Sequence, residues 1–198
     1  MEKIIFSKER NIENDIITLK TVNDYKEFRE TLMVFREEPY YEPLTEKDCK
    51  DEYELYLEKG IVIGHYINDV ISGINCIVYE QDNKHSIKFN ENDLIAYHSG
   101  FAVKKDLRRH GIGDKLMKTT EEYLSYLNKF NYEYARILCK ESKSQSTFKR
   151  YDFTDAYDNN GNLIVDDISY IDINGNLHQD KRKYMVKTLK KGSGFTRR

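Results

Sequence analysis

Cysteine is scarce in this chain and poorly placed for a covalent framework. Cys49, Cys76 and Cys139 make an odd count, stand far apart and include no C-x-x-C pair, so neither a disulfide network nor a metal site is expected. Long apolar runs are missing as well. The opening MEKIIFSKERN lacks the apolar stretch of a signal peptide, and no window approaches the ~18 apolar residues of a spanning helix. The expectation is a soluble, cytoplasmic protein without membrane contact. Neither charge dominates: 32 basic residues against 34 acidic ones leave a formal net charge of −2, which gives no general pull towards nucleic acid and confines any basic site to a local patch. The P-loop signature G-x-x-x-x-G-K-[ST] is absent, which excludes that way of holding a nucleotide.

What is present still suits a folded core. A hydrophobic fraction of 39% and a mean hydropathy of −0.77 undervalue 16 Tyr and 9 Phe, whose bulk is amphipathic. The 198 residues suit one domain, with strands and hairpins from about residue 154 and a flexible basic tail, KKGSGFTRR.

The most informative stretch is YHSGFAVKKDLRRHGIGDKLM, Tyr97 to Met117. It reads as a strand, a basic turn with two closely spaced glycines, and the opening of an amphipathic helix. The first turn of a helix leaves N–H groups without intrahelical partners at the positive end of the dipole, so this is an anion cradle. Gly111 and Gly113 let a phosphate approach the backbone, and Arg108, Arg109 and His110 can add charge-assisted hydrogen bonds. The dinucleotide fingerprint G-x-G-x-x-G fits poorly, because its third glycine position is Leu116 and Lys104 to His110 separate the strand from the first glycine.

Around the cradle the periodicities alternate between strand and helix. Ile16 to Thr21 reads as the first strand. Tyr25, Phe28, Leu32 and Phe35 keep helical spacing, and a second helix runs from the cap Thr45, with Asp48 as its box partner, to Gly60. Ile61 to Tyr66 and Val70 to Tyr79 form a hairpin about Asn68-Asp69. Glu80 to Asn92 is polar and without periodicity, and reads as an exposed loop or a hairpin extension before the strand Leu94 to Val103. Helix 112–130 leads to the strand Tyr134 to Cys139, parallel to Leu94–Val103. Ser142 to Tyr151 is a short helix. Two alike turns, Asp158 to Asn162 and Asp172 to Asn176, separate strands at Leu163 to Val165, Ile168 to Ile173 and Lys183 to Leu189. Neither turn has the later Glu of a calcium loop. Between Glu37 and Glu58 nine acids face two lysines, with Tyr40, Tyr41, Tyr53 and Tyr56 interleaved. This is either a lip that draws a cationic acceptor or a solvated helix face with its aromatics turned inward.

The cradle and its setting resemble the pyrophosphate loop of the GNAT N-acetyltransferase superfamily, V-x-P-x-[YF]-R-x-x-G-x-[GA]-x-x-L. Val103, Arg108, Gly111, Gly113 and Leu116 fall in register, with Lys105 and Leu107 replacing the usual Pro and aromatic. The resemblance implies an α/β fold: a mixed, mostly antiparallel twisted sheet with flanking helices, splayed between the strands Leu94–Val103 and Tyr134–Cys139. It implies acetyl-CoA as cosubstrate, held by Arg108, Arg109, His110, Gly111, Ile112 and Gly113, with Phe148 beside its thioester end. A backbone N–H at Phe101, Ala102 or Val103 would face the thioester oxygen, and the pantetheine arm would enter the splay. The acceptor would be a small-molecule amine, a protein lysine or an N-terminus, acetylated by direct transfer in a ternary complex. A homodimer stays open.

Proton handling departs from the family. Phe148 occupies the place of a tyrosine that commonly protonates the departing thiolate; Tyr151, one turn later, is a substitute or a packing residue. A carboxylate base used by some members falls at Tyr97. His98 beside it is the side chain with an ordinary pKa near neutrality, but alternation puts the two on opposite faces. An alternative is a CoA-binding sensor or interaction module with impaired catalysis.

Overall fold

The computed structural model describes residues 3–11, 13–36, 45–79, 85–172, 174–189 and 195–197, the last three by backbone alone. Nine strands form one sheet. Strands β1 (Ile5–Arg10), β2 (Ile16–Thr21), β3 (Gly60–Ile67), β4 (Val70–Val78), β6 (Ile95–Val103), β7 (Tyr132–Leu138), β10 (Leu177–Thr188) and β8 (Thr154–Asp155) follow one another in that order, and β9 (Val165–Ile171) also pairs with β10. Every pairing is antiparallel except β6 with β7. A separate ladder joins β5 (Ile87–Phe89) to β11 (Phe195–Arg197).

Helices cover both faces. On one, α1 (Tyr25–Arg36) and α2 (Glu46–Lys59) bury Phe28, Val34, Phe35 and Tyr56 against Val62, Ile74 and Cys76. On the other, α3 (Ile112–Leu127) buries Ile112, Leu116 and Leu124 against Ile61, Ile63 and Ile77. The short α4 (Ser142–Arg150) brings Phe148 onto Ala135, Ile137 and Met185 beside α3. Thr45 caps α2 with the expected box: its hydroxyl accepts from the Asp48 amide at 3.2 Å, and Asp48 accepts from the Thr45 amide at 3.1 Å. Asn68 and Asp69 both adopt positive φ, as the tight β3–β4 hairpin requires.

Three expectations need correction. Strand β1 precedes the strand read as first; it lies at the sheet edge with little burial, so charged IFSKER shows no clean alternation. The stretch read as an exposed loop or hairpin extension contains β5, which pairs with neither flanking strand but with β11, and whose Ile87 and Phe89 are buried. The tail read as flexible supplies β11, a strand whose partner lies far back in sequence and which local pattern therefore cannot show. Glu37 to Leu44, part of the acidic segment, lies outside the described residues. Its α2 portion turns Tyr53 and Tyr56 to the core and leaves Glu46, Asp48, Asp51, Glu54 and Glu58 in solvent, as a solvated face does. Among the described residues, no helix is long and apolar enough to cross a membrane.

Candidate active site

The parallel pair opens part-way along its length. Strand β6 pairs with β7 only over Ile95–His98, opposite Tyr132–Ala135, although both strands run on. A bulge marks the parting point, since Cys76 of β4 faces Gly100 and Ile77 faces His98, leaving Ser99 as the extra residue. Ser99 is held there by donating to the Cys76 carbonyl at 3.2 Å, and it accepts from the Tyr56 hydroxyl of α2 at 2.8 Å. Gly100 follows for a steric reason: a Cβ there would sit 2.8 Å from Cζ of Phe35.

Beyond the bulge the orientation of each amide follows from the ladder. Lys104 donates to the Ser72 carbonyl at 2.9 Å, so Ala102 also turns its N–H to β4, whereas Phe101 and Val103 point theirs into the opening. Of the three amides read from sequence, Ala102's is therefore engaged within the sheet.

The cradle lies at the far end of the same strand. After the 3₁₀ turn Lys105–Leu107, Arg109 (φ 70°) and Gly111 (φ 76°) are both left-handed, and this double reversal aims the α3 N-terminus back across the end of β6. A side chain at Gly111 would have open space but an unfavourable φ. The first intrahelical bond runs from the Lys115 amide to the Gly111 carbonyl, so the amides of Ile112, Gly113 and Asp114 have no acceptor within the helix. They border a groove of about 490 Å³ between this turn and α4, with Arg108 and Arg109 on its rim and Ser142, Lys143 and Thr147 opposite. Arg108 is oriented by donating Nε–H to the Val103 carbonyl at 3.1 Å. The one acid of the first turn, Asp114, pairs with Arg150 at 2.7 Å. Unpaired first-turn amides and two arginines around an open groove fit a diphosphate-bearing ligand such as CoA. His110 is placed differently from the expectation: its Nδ1 lies 3.2 Å from the Leu107 carbonyl of its own turn, and it does not line the groove.

The opening between β6 and β7 forms a cleft of about 100 Å³, and Phe101, Glu141 and Ser144 line both it and the groove. Glu141 and Ser144 were missed as site residues; their helical spacing at the start of α4 was the available signal. Tyr97 reaches the cleft, stacked on Tyr134 with ring centroids 4.5 Å apart. His98 borders the cleft, but its side chain is fully buried and turned to the α3–α4 face. It packs edge-on against Phe148 and Phe153. Its Nδ1 contacts Asn75 Oδ1 at 3.3 Å; because the Asn75 amide donates to Thr120 at 2.8 Å, Nδ1 carries the proton. Its Nε2 lies 3.0 Å from Glu133 Oε2, so both ring nitrogens are engaged. That arrangement suits a structural role, because a base must reach the proton that it removes. Tyr151 lines neither cavity; its hydroxyl donates to the Asp114 carbonyl at 2.8 Å, tying α4 to α3, so the structure does not bring it to the cleft. Phe148 does line the cleft.

A sheet parted beside a helix N-terminus with free first-turn amides, joined by a continuous groove and cleft, defines an α/β protein of one recognisable class. The family model for the acetyltransferase (GNAT) family matches residues 25–153, and the chain belongs to that family. Solved structures share the fold at low sequence identity. The ribosomal-protein-S18-alanine N-acetyltransferase from Escherichia coli superposes with a TM-score of 0.63 at 12% identity, over 89% of this chain and 96% of its own. NAA60 from Arabidopsis thaliana, in complex with a bisubstrate analogue, gives 0.62 at 12% identity over 89% and 99%. An N-acetyltransferase from Staphylococcus aureus Mu50 gives 0.63 at 11% identity over 88% and 99%. No curated protein matches the sequence.

Proposed function

We propose that this chain is an acetyl-CoA-dependent N-acetyltransferase that acts on a primary amine by direct transfer in a ternary complex. One observation carries the reading: the phosphate groove and the cleft with unpaired strand amides are continuous, sharing Phe101, Glu141 and Ser144. When bound, acetyl-CoA supplies an activated acyl thioester. The amides of Ile112 and Gly113, with Arg108 and Arg109, hold the diphosphate. The N–H groups of Phe101 and Val103 point to where a carbonyl oxygen can be polarised. In this reading Tyr97 takes the proton of the amine; it lines the cleft together with Arg136. A covalent route through Cys76 has no support, because burial holds that thiol well above its ordinary pKa.

Isothermal titration of acetyl-CoA into the wild-type protein and into an Arg108→Ala, Gly111→Glu double variant tests this. Saturable binding that is lost in a variant with unchanged circular dichroism is the expected result; no wild-type binding would overturn the proposal. Phe148, which lacks the hydroxyl that could return a proton to the thiolate, and Tyr97, which stands where some relatives carry a carboxylate, support a second reading. Saturable binding without thiol release across a broad amine panel would favour that reading, a binding module without turnover.

A further inference from the structure

Among the described residues, the cleft holds a cation without a counter-ion. Strand alternation puts Arg136 and Arg182 on the face that carries Tyr97: Arg136 follows Tyr134 by two residues in β7, Arg182 precedes Tyr184 by two in β10, and Tyr97, Tyr134 and Tyr184 share one cluster. Both arginines line the cleft.

Their surroundings differ. Arg136 is built in: it donates from Nη1 to His85 Nε2 at 2.7 Å and pairs through Nη2 with Asp166 Oδ2 at 3.1 Å. Asp166 lies directly across the β9–β10 ladder from Arg182 and would be its natural partner. Its carboxylate is already taken, by Arg136 and the Tyr184 hydroxyl at Oδ2 and by the Ser86 hydroxyl at Oδ1. Among the described residues Glu141 is the one carboxylate lining the cleft, and no ion pair joins it to Arg182. Arg182 thus has no hydrogen-bond or ion-pair partner for its side chain among the described residues. A half-buried guanidinium left unmatched beside the reacting position is a fork of donors for a carboxylate or phosphate.

We propose that the acceptor is a small amine that also carries an anionic group, a carboxylate or a phosphate, and that Arg182 binds this group. The inference rests on the acetyltransferase reading, which it deepens. It opposes a purely cationic acceptor such as a polyamine, and the solvent-turned acids of α2 offer no competing site within the cleft.

Matched pairs test it: glycine against methylamine for the carboxylate, and O-phosphoethanolamine against ethanolamine for the phosphate. Thiol release is measured with each amine, and ligand-observed NMR measures amine binding to the protein without acetyl-CoA. The wild type is expected to favour the anionic member of at least one pair by roughly 10- to 100-fold in kcat/KM, the range of a charge-assisted contact. Arg182→Gln should remove that preference and the NMR-detected binding while leaving the acetyl-CoA Kd and the melting temperature unchanged, because Arg182 supports no neighbour. Equal use of both members, a preference that survives Arg182→Gln, or turnover confined to neutral peptide N-termini would overturn the proposal. Failure of acetyl-CoA to bind would instead sink the acetyltransferase reading, and the NMR arm would still read Arg182.

Discussion

His65 offers a test of how the cradle is supported from below. It lies on β3, 1% exposed, next to Ser72 of β4. The Ser72 hydroxyl spends its proton on the His65 carbonyl at 2.9 Å, so it must accept from His65 Nδ1–H at 2.6 Å. Among the described residues that leaves Nε2 as a buried acceptor without a partner. Burial, followed by the nearby Lys115 of α3 and opposed by Glu9, lowers the imidazole pKa from 6.5 to about 4. The unfolded chain therefore binds a proton at a pH where the folded one does not. Stability from this group is fully present above pH 6.5, falls as the pH drops, and is gone below about 4. From those two values, the loss between pH 7 and pH 5 is about 2 kcal/mol. Urea unfolding at both pH values, for the wild type and for His65→Gln, isolates the term, because every other titrating group is common to the two proteins. The wild type should lose about 2 kcal/mol more than the variant. Equal losses would show that His65 is not held neutral under α3 and would refute the assignment.

Other substitutions probe the parted sheet. Gly100→Ala should cost about 1–3 kcal/mol by driving its Cβ into the Phe35 ring, and Phe35→Leu in the same chain should recover part of that loss in thermal melts. Glu133→Ala removes the partner of a fully buried histidine and should destabilise by about 3–5 kcal/mol, with Glu133→Gln costing less; chemical denaturation of both distinguishes a paired site from simple packing. Thr45→Ala deletes the α2 cap and should cost about 1 kcal/mol without altering acetyl-CoA affinity, so a change in that affinity would mean α2 is coupled to the groove.

Local chemistry made much of this molecule legible. The α2 capping box, the Asn68-Asp69 hairpin and the strand–turn–helix of the cradle each depend on residues a few positions apart, and each stands where its pattern puts it. Strand alternation alone also separated Tyr97 from His98. The misses share a different origin. Strand β5 needs a partner from the far end of the chain, and the occupation of His98 and Tyr151 depends on Glu133, Asn75 and Asp114, which no spacing links to them.

By itself, then, the sequence determined the strand, basic turn and helix opening at Arg108–Gly113, because an amphipathic helix that starts after such a turn needs nothing remote to expose its first-turn amides. Only the tertiary structure decided what the cleft contains. The bulge at Ser99 exists because α1 presses Phe35 onto Gly100 and α2 holds Ser99 through Tyr56. Among the described residues Arg182 is left without a partner because Asp166, opposite it in register, is claimed by three other side chains. Both are outcomes of competition between residues distant in sequence, and such competition is resolved only when the sheet brings them together.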